Sequence, residues 1–361
     1  MKKRESLKKI DIILFITTIL LTFFGLLMIY DASSFISFRD FGNKYHYVRD
    51  QALWIVIGFI GMGAFSFFDY KKLYNYALPL LIIAIVLLML VFIPGVGVGV
   101  LGAHRWINLR FFILQPAEFV KLTLAIYLAA WFCNKEKNRF TAFALLISLV
   151  LGLVMLEPDM GTAIIILSEA VVLYFLSGGN MLYFAASTPV IGLLGFFLIK
   201  LEPYRAKRLA TFLNPNQGVQ NASYHVRQIL IALGSGGLTG VGLGNSLQKY
   251  AYLPENTTDS IFAIIGEELG LIGACLLIFI FMIVAWRGMY IAMQSKDQFG
   301  KLLAGGITAF LIVQMIINLG AQTALFPLTG VPLPFISYGG SALVVDLCSI
   351  GILLNIAKQN S

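Results

Sequence analysis

Asp259 is the acid best placed to act as a base. It lies in Leu253 to Gly273 (LPENTTDSIFAIIGEELGLIG), where a polar approach becomes an apolar helical run within a few residues. A helix is predicted to begin near Ser260, with Thr257 and Thr258 as capping candidates. Its positive dipole end would then favour an ionised carboxylate at Asp259. Helix capping alone would also account for an aspartate here. Glu255 stands four residues earlier in the same approach.

Other groups could serve such a base. Gly102 to Lys121 (GAHRWINLRFFILQPAEFVK) is too polar to cross lipid as a whole, so its first part is expected on the surface, with Pro116 in the first turn of a following span. Glu118 and Lys121, three residues apart, share a helix face and can pair as a site or as a structural tie. Glu157 and Asp159 fall in a short turn, where a solvated turn with an Asp cap competes with a site role. Glu169 and Asp346 lie within apolar runs, as relay residues or packed ones.

Positive charge is concentrated before Asp259, at Arg205, Lys207 and Arg208, then at His225 and Arg227, then at Lys249 after a glycine-rich stretch from Gly234 (GSGGLTGVGLGNSLQK). Basic groups beside free backbone amides suit a phosphate or pyrophosphate, although the glycines match neither the Rossmann nor the Walker pattern and a flexible loop is the plainer reading. Thr329 to Ser341 (TGVPLPFISYGGS), with Ser337 and Tyr338, should form a stiff non-helical lip. His46, His104 and His225 are too scattered for a metal site. Cys133, Cys275 and Cys348 suggest no disulfide framework.

The elements that must position these residues are membrane helices. Of 361 residues 59% are hydrophobic and 12% charged, so the charge of +8 is to be read by side of a membrane, not as a sign of nucleic-acid binding. Spanning takes about 20 apolar residues. Ten stretches qualify, near 11–31, 51–68, 74–93, 116–133, 140–156, 162–177, 181–199, 260–286, 301–325 and 336–357. The expected fold is all-α and polytopic: one membrane domain over 1–361, with a long loop at about 200–259 between spans seven and eight. The basic head and first apolar run read as a retained helix, since the run is too long for a signal-peptide core.

With the N-terminus inside, Lys2, Lys3, Arg4, Lys8, Lys9, Lys71, Lys72, Lys135, Lys137, Arg139, Arg287, Lys296, Lys301 and Lys358 all lie inside. The short outer loops carry only Arg39, Lys44, Arg49, Arg105 and Arg110. That bias predicts N-in, C-in topology and puts the long loop outside. Gly58, Gly61 and Gly63 would let helices approach closely.

In these blocks the sequence resembles the SEDS family of membrane proteins, whose members FtsW and RodA polymerise lipid II into peptidoglycan strands. GLGNSLQK and YLPE are closer to the FtsW wording. The resemblance implies Asp259 as catalytic aspartate, Glu118 and Lys121 as the polar pair of a QPxExxK motif, and Arg105 with Trp106 as part of a GxRRW segment. Thr257 and Ser260 stand where the family's LPExHTDF wording has His and Phe. The implied reaction is attack by an acceptor sugar hydroxyl on a lipid-linked donor with loss of polyprenyl pyrophosphate. It needs a base at the nucleophile and positive charge at the leaving group.

Arg205, Arg208 and Lys249 are candidates for that charge, with Glu255, Ser337 and Tyr338 in support. Mg²⁺ or Mn²⁺ bridging the substrate is compatible with it, since Mg²⁺ takes few protein ligands. Implied partners are lipid II, a monofunctional class B penicillin-binding transpeptidase and other divisome membrane proteins, in the bacterial cytoplasmic membrane. Two other readings fit a polytopic chain, a precursor flippase or transporter and a non-catalytic divisome scaffold. Transporters, however, tend to show paired repeats, and none is visible here.

Overall fold

The computed structural model describes residues 10–100, 103–109, 112–133, 140–180, 182–201, 206, 208, 210, 212 and 220–360. The helices are α1 (Ile12–Phe41), α2 (His46–Phe67), α3 (Leu73–Leu90), α4 (Pro116–Cys133), α5 (Phe140–Leu156), α6 (Met160–Leu176), α7 (Leu182–Leu201), α8 (Gln220–Ser235), α9 (Ile261–Gln294), α10 (Gln298–Gln322) and α11 (Gly340–Asn360). Among the described residues seven helices are long and apolar enough to cross a membrane, and α5 and α6 are shorter apolar ones. Large apolar side chains such as Phe23, Ile60, Ile83, Phe279 and Met282 are exposed, as on a bundle whose solvent is lipid.

The segment before α4 is a small antiparallel sheet, β1 (Gly97–Val100), β2 (Ala103–Asn108) and β3 (Ile113–Leu114), in that order. Gly97 faces Ile107 and Val98 faces Trp106, with a bulge after Val98. A closed hairpin satisfies its own backbone, so a segment too polar for lipid still packs against the bundle.

Helix ends differ from expectation where local chemistry extends or stops them. α1 runs to Phe41, well past residue 31, because DASSFISFRDF continues the helical pattern until Gly42 adopts a left-handed φ of 67° and its N–H bonds Phe38 O. α11 starts at Gly340, not at 336, because the preceding residues are tied to other loops by the bonds described below.

Close helix contact rests on small residues. A Cβ on Gly58 would lie 2.5 Å from a Leu347 methyl carbon, and one on Gly61 would lie 2.6 Å from the Cys348 sulfur, so α2 and α11 approach closely there. Gly63 has open space instead. At the end of the bundle away from Asp259, Asp11 caps α1 through Leu14 N (3.1 Å) and pairs with Arg287 of α9 (2.5 Å). Nearby, the Tyr70 hydroxyl bonds Asp297, and Tyr70 N bonds Asn355 (3.0 Å).

Candidate functional site

Two loops and one helix build the site. The first loop is Leu253–Ser260, ahead of α9. The second is the lip, residues 325–339, which contains no helix. Ser337 Oγ donates to Thr258 O (2.5 Å) and accepts from Leu333 N (2.7 Å), while Tyr338 N donates to Thr257 O (2.9 Å). Gln51 of α2 holds the lip from the other side through Ser337 O and Gly339 N, both at 3.3 Å. The Tyr338 ring stands edge-on to Tyr47. Burial pushes its phenol pKa up to about 12, so it remains a proton donor.

α10 supplies a ladder of amides one helical turn apart, Gln314, Asn318 and Gln322. Asn318 Nδ2 donates to Asp259 O (2.9 Å) and to Val331 O (2.8 Å), so one side chain joins both loops. Gln314 donates to Pro332 O (3.0 Å). Gln322 donates to Asn318 Oδ1 (2.7 Å) and accepts from Ala263 N (2.7 Å). The first turn of α9 is therefore satisfied by a side chain 59 residues away. Neither expected cap, Thr257 or Thr258, holds the cap position: that falls to Ser260, which makes no side-chain cap bond, while the Thr258 hydroxyl bonds Glu255 and Asp259.

Asp259 is half-buried between these loops, with Gly330 of the lip facing its Oδ2. Thr258 Oγ1 lies 3.2 Å from Asp259 Oδ1 and 2.9 Å from Glu255 Oε2, so one hydroxyl links the two carboxyls. Glu255 holds a φ of 49° while its carbonyl accepts Ser260 N (3.1 Å). Burial, then the Glu255 charge, push the Asp259 carboxyl up to about 6, against its backbone bond, Thr258 and Arg208. A helix N-terminus alone would have favoured a more acidic group. A carboxylate with this pKa is ionised at neutral pH and still basic enough to take a proton.

Arg208 donates to Leu328 O of the lip (2.6 Å), and its charge acts on both Asp259 and His225. His225 of α8 was missing from the expected site. Its Nε2 lies 2.7 Å from Ser260 Oγ, in the residue following Asp259. Burial, then Arg208, lower its pKa to about 4, which leaves the ring neutral at physiological pH. Only its position in the basic loop hinted at this, because the contact spans 35 residues.

The remaining expected residues support the site or lie elsewhere. Glu118 and Lys121 form a buried ion pair (2.7 Å), and Lys121 Nζ donates to Gln314 Oε1 (2.5 Å), so the pair reaches the lip through the amide ladder. Arg105 is spent on Glu157 O (3.0 Å) and Pro158 O (2.5 Å), and Trp106 is half-buried in β2. The turn that Arg105 pins packs Gly161 against Thr329 and Val331. Asp159 caps α6 through Thr162 N (3.0 Å), as a cap should, but the turn is not solvated. Glu157 is buried, and its carboxyl is pushed up to about 9 by burial, then by Asp159.

Lys249 departs from expectation. It is buried and bonded to Asp31 (2.8 Å) and Glu268 (3.2 Å), so its charge is already matched within the protein. The glycine-rich stretch is no anion cradle either. Gly244 N and Ser246 N donate to the Glu268 carboxylate (3.0 and 3.1 Å), Leu247 N to Glu267 (3.2 Å), and Val241 N and Gly242 N to backbone carbonyls of α9. Arg205 and Lys207 lie outside the described residues.

No group of three or more His, Cys, Asp or Glu side chains able to hold a metal occurs among the described residues. The linked carboxyls of Glu255 and Asp259 do suit an ion that takes one or two carboxylates and completes its shell with substrate phosphates.

A helical bundle with a poised acid where two loops meet above a long apolar helix defines a multi-pass membrane protein with a candidate acid–base site. The chain belongs to the FtsW/RodA/SpoVE family of cell cycle proteins, whose model matches residues 11–361. It is 37% identical to the probable peptidoglycan glycosyltransferase FtsW of Trichlorobacter lovleyi, over 99% of this chain and 95% of that one. It is 39% identical to stage V sporulation protein E of Bacillus subtilis, over 97% of each. Among solved structures, the rod shape determining protein RodA of Thermus thermophilus superposes with a TM-score of 0.72 at 25% identity, over 97% of each chain. A chain from a peptidoglycan synthase complex described as coordinating polymerization and crosslinking has a TM-score of 0.80 at 24% identity, covering 97% of this chain and 98% of that one.

Proposed function

We propose that this protein is a peptidoglycan glycosyltransferase that polymerises lipid II at the outer face of the bacterial cytoplasmic membrane, with Asp259 as the base. The observation that carries this reading is the setting of Asp259. It is half-buried, held through Asn318 and Thr258, raised to about 6 by burial and Glu255, and within the field of Arg208. Such a carboxylate can take the proton of an acceptor hydroxyl as that oxygen attacks the donor's anomeric carbon. Arg208 offers charge toward the pyrophosphate that leaves, and Arg205 is a further candidate. When bound, Mg²⁺ or Mn²⁺ would offset phosphate charge, with Glu255 and Asp259 as the carboxyls present to hold it.

Identity of 37% over 99% of the chain to a relative named probable peptidoglycan glycosyltransferase FtsW supports the activity, and the fold shared with a synthase complex agrees with a class B transpeptidase partner. Other divisome membrane proteins are further expected partners, and the basic-residue bias supports N-in, C-in topology. Glu118, Lys121, Arg105, Ser337 and Tyr338 are assigned to holding the two loops.

The test is glycan synthesis from labelled lipid II by purified wild-type and Asp259→Asn proteins, each with and without the transpeptidase. Loss of a positioned base should lower polymerisation by about 10² to 10⁴. Near-equal rates would remove Asp259 from the chemistry. Substrate transfer across vesicles without polymer would instead favour the transport reading.

A further inference from the structure

We infer that the segment from Leu238 to Tyr252 is embedded in the bilayer boundary on the Asp259 side, its leucines in hydrocarbon and its tyrosines among the headgroups. Two charge clusters lie largely buried in the bundle. Asp11 pairs with Arg287, and Asp31 pairs with Lys249 beside Glu268. Asp11, the cap of α1, and Asp31 within it stand twenty residues apart, about 30 Å at the rise of a helix, which is the thickness of the hydrocarbon core. No Asp, Glu, Lys or Arg lies between them on α1, nor between Glu268 and Arg287 on α9. The clusters therefore bracket the apolar layer, and the second marks its boundary near Asp259.

The glycine-rich segment hangs at that second boundary. Lys249 is part of the cluster, and Gly244 N and Ser246 N bond the Glu268 carboxylate. Gly240 lies against Gly270 so closely that a Cβ on Gly270 would come 2.3 Å from Gly240 N. Gly270 itself has a φ of 66°, which opens α9 to the passing chain. With its amides taken up by α9, irregular backbone is tolerated at this depth.

Its leucine side chains point the other way. Leu238, Leu243 and Leu247 are 68%, 58% and 68% exposed, although the segment is held by many bonds. No charged residue occurs from Gly234 to Gln248, and Tyr250 and Tyr252 follow, both exposed. This apolar surface continues into Leu271, Ile272 and Leu276, exposed on α9 just inside the boundary. Continuity with a lipid-facing helix identifies the occupant as bilayer lipid, and exposed tyrosines next to apolar side chains match an interfacial belt.

The experiment uses full-length protein in lipid nanodiscs, with Cys133, Cys275 and Cys348 replaced by serine. A nitroxide is placed in turn at Leu238→Cys, Leu243→Cys and Leu247→Cys, with Leu276→Cys and Glu255→Cys as references. Collision with oxygen should dominate at the three leucine positions as at Leu276, and collision with a water-soluble nickel chelate should dominate only at Glu255. Nickel access at Leu243 and Leu247 equal to that at Glu255 would place the segment in water and overturn the inference. Low access to both reagents would mean that protein covers it, with the same effect. Unmodified protein provides the second measurement, by photo-crosslinking to lipid with a diazirine on its acyl chain. Adducts on Leu238 to Leu247 as well as on α9 are expected, and adducts confined to α9 would overturn the inference.

Discussion

The environment of Asp259 makes it sensitive to pH in two opposing ways. A base must be ionised, so polymerisation should fall as pH drops through about 6 and level off above it, measured as initial rates at saturating lipid II. Stability has the opposite sign. A carboxyl raised from 3.8 to about 6 favours the fold while protonated, and that contribution is lost as pH rises through 6. Asp259→Asn should therefore melt no lower than wild type at pH 7.5 while losing activity, and a lower melting temperature would contradict the burial described. His225 and Ser260 test the same spot from the side. Removing either partner of a buried bond costs about 1 kcal/mol, so His225→Ala and Ser260→Ala should each lower the melting temperature, and the double variant little further. Additive losses would mean that the two do not interact. Asp259 was legible because its type, helix position and motif agreed. His225 was not, because its meaning comes from a side chain on another helix.

Elements are held at this end of the bundle by amides and acids whose roles depend on what folds against them. Gln322 bonds Ala263 N and Asn318 together, so Gln322→Ala should destabilise the start of α9 by about 1–2 kcal/mol, read as faster hydrogen exchange at Ile261 to Ile264. Unchanged exchange there would remove Gln322 as the cap. The ladder has a sequence signal, since Gln314, Asn318 and Gln322 recur every four residues in an apolar helix, one face of a turn. The capping threonines drew attention instead, because caps are ordinarily local. The glycine-rich stretch misled for a related reason: its amides are free only until Glu267 and Glu268 are folded against them. Those two acids stand within α9, and they organise the loop beside it.

At the scale of the molecule, the apolar helices and their order were readable from apolar runs alone, with seven of the described helices long enough to cross a membrane where ten spans were expected, and the non-helical lip was readable from its prolines and glycines. How the loops interlock was not, since those bonds join residues far apart in sequence, as from Ser337 to Thr258. The orientation predicted from basic residues has its own check. A cysteine at Asn221 should react with an impermeant thiol reagent in intact spheroplasts, and one at Asn138 should not. The reverse labelling would put the site on the inner side.

The Glu118–Lys121 pair also bears on how the chain enters the membrane. Its partners are three residues apart on α4, so the pair closes as that helix forms, and the segment can leave the translocation machinery carrying its own counter-ion. Gln314, 193 residues further along and so made much later, meets a pair that is already neutral overall. Lys121→Ala would strip that counter-ion during synthesis, before Gln314 and the rest of α10 are made.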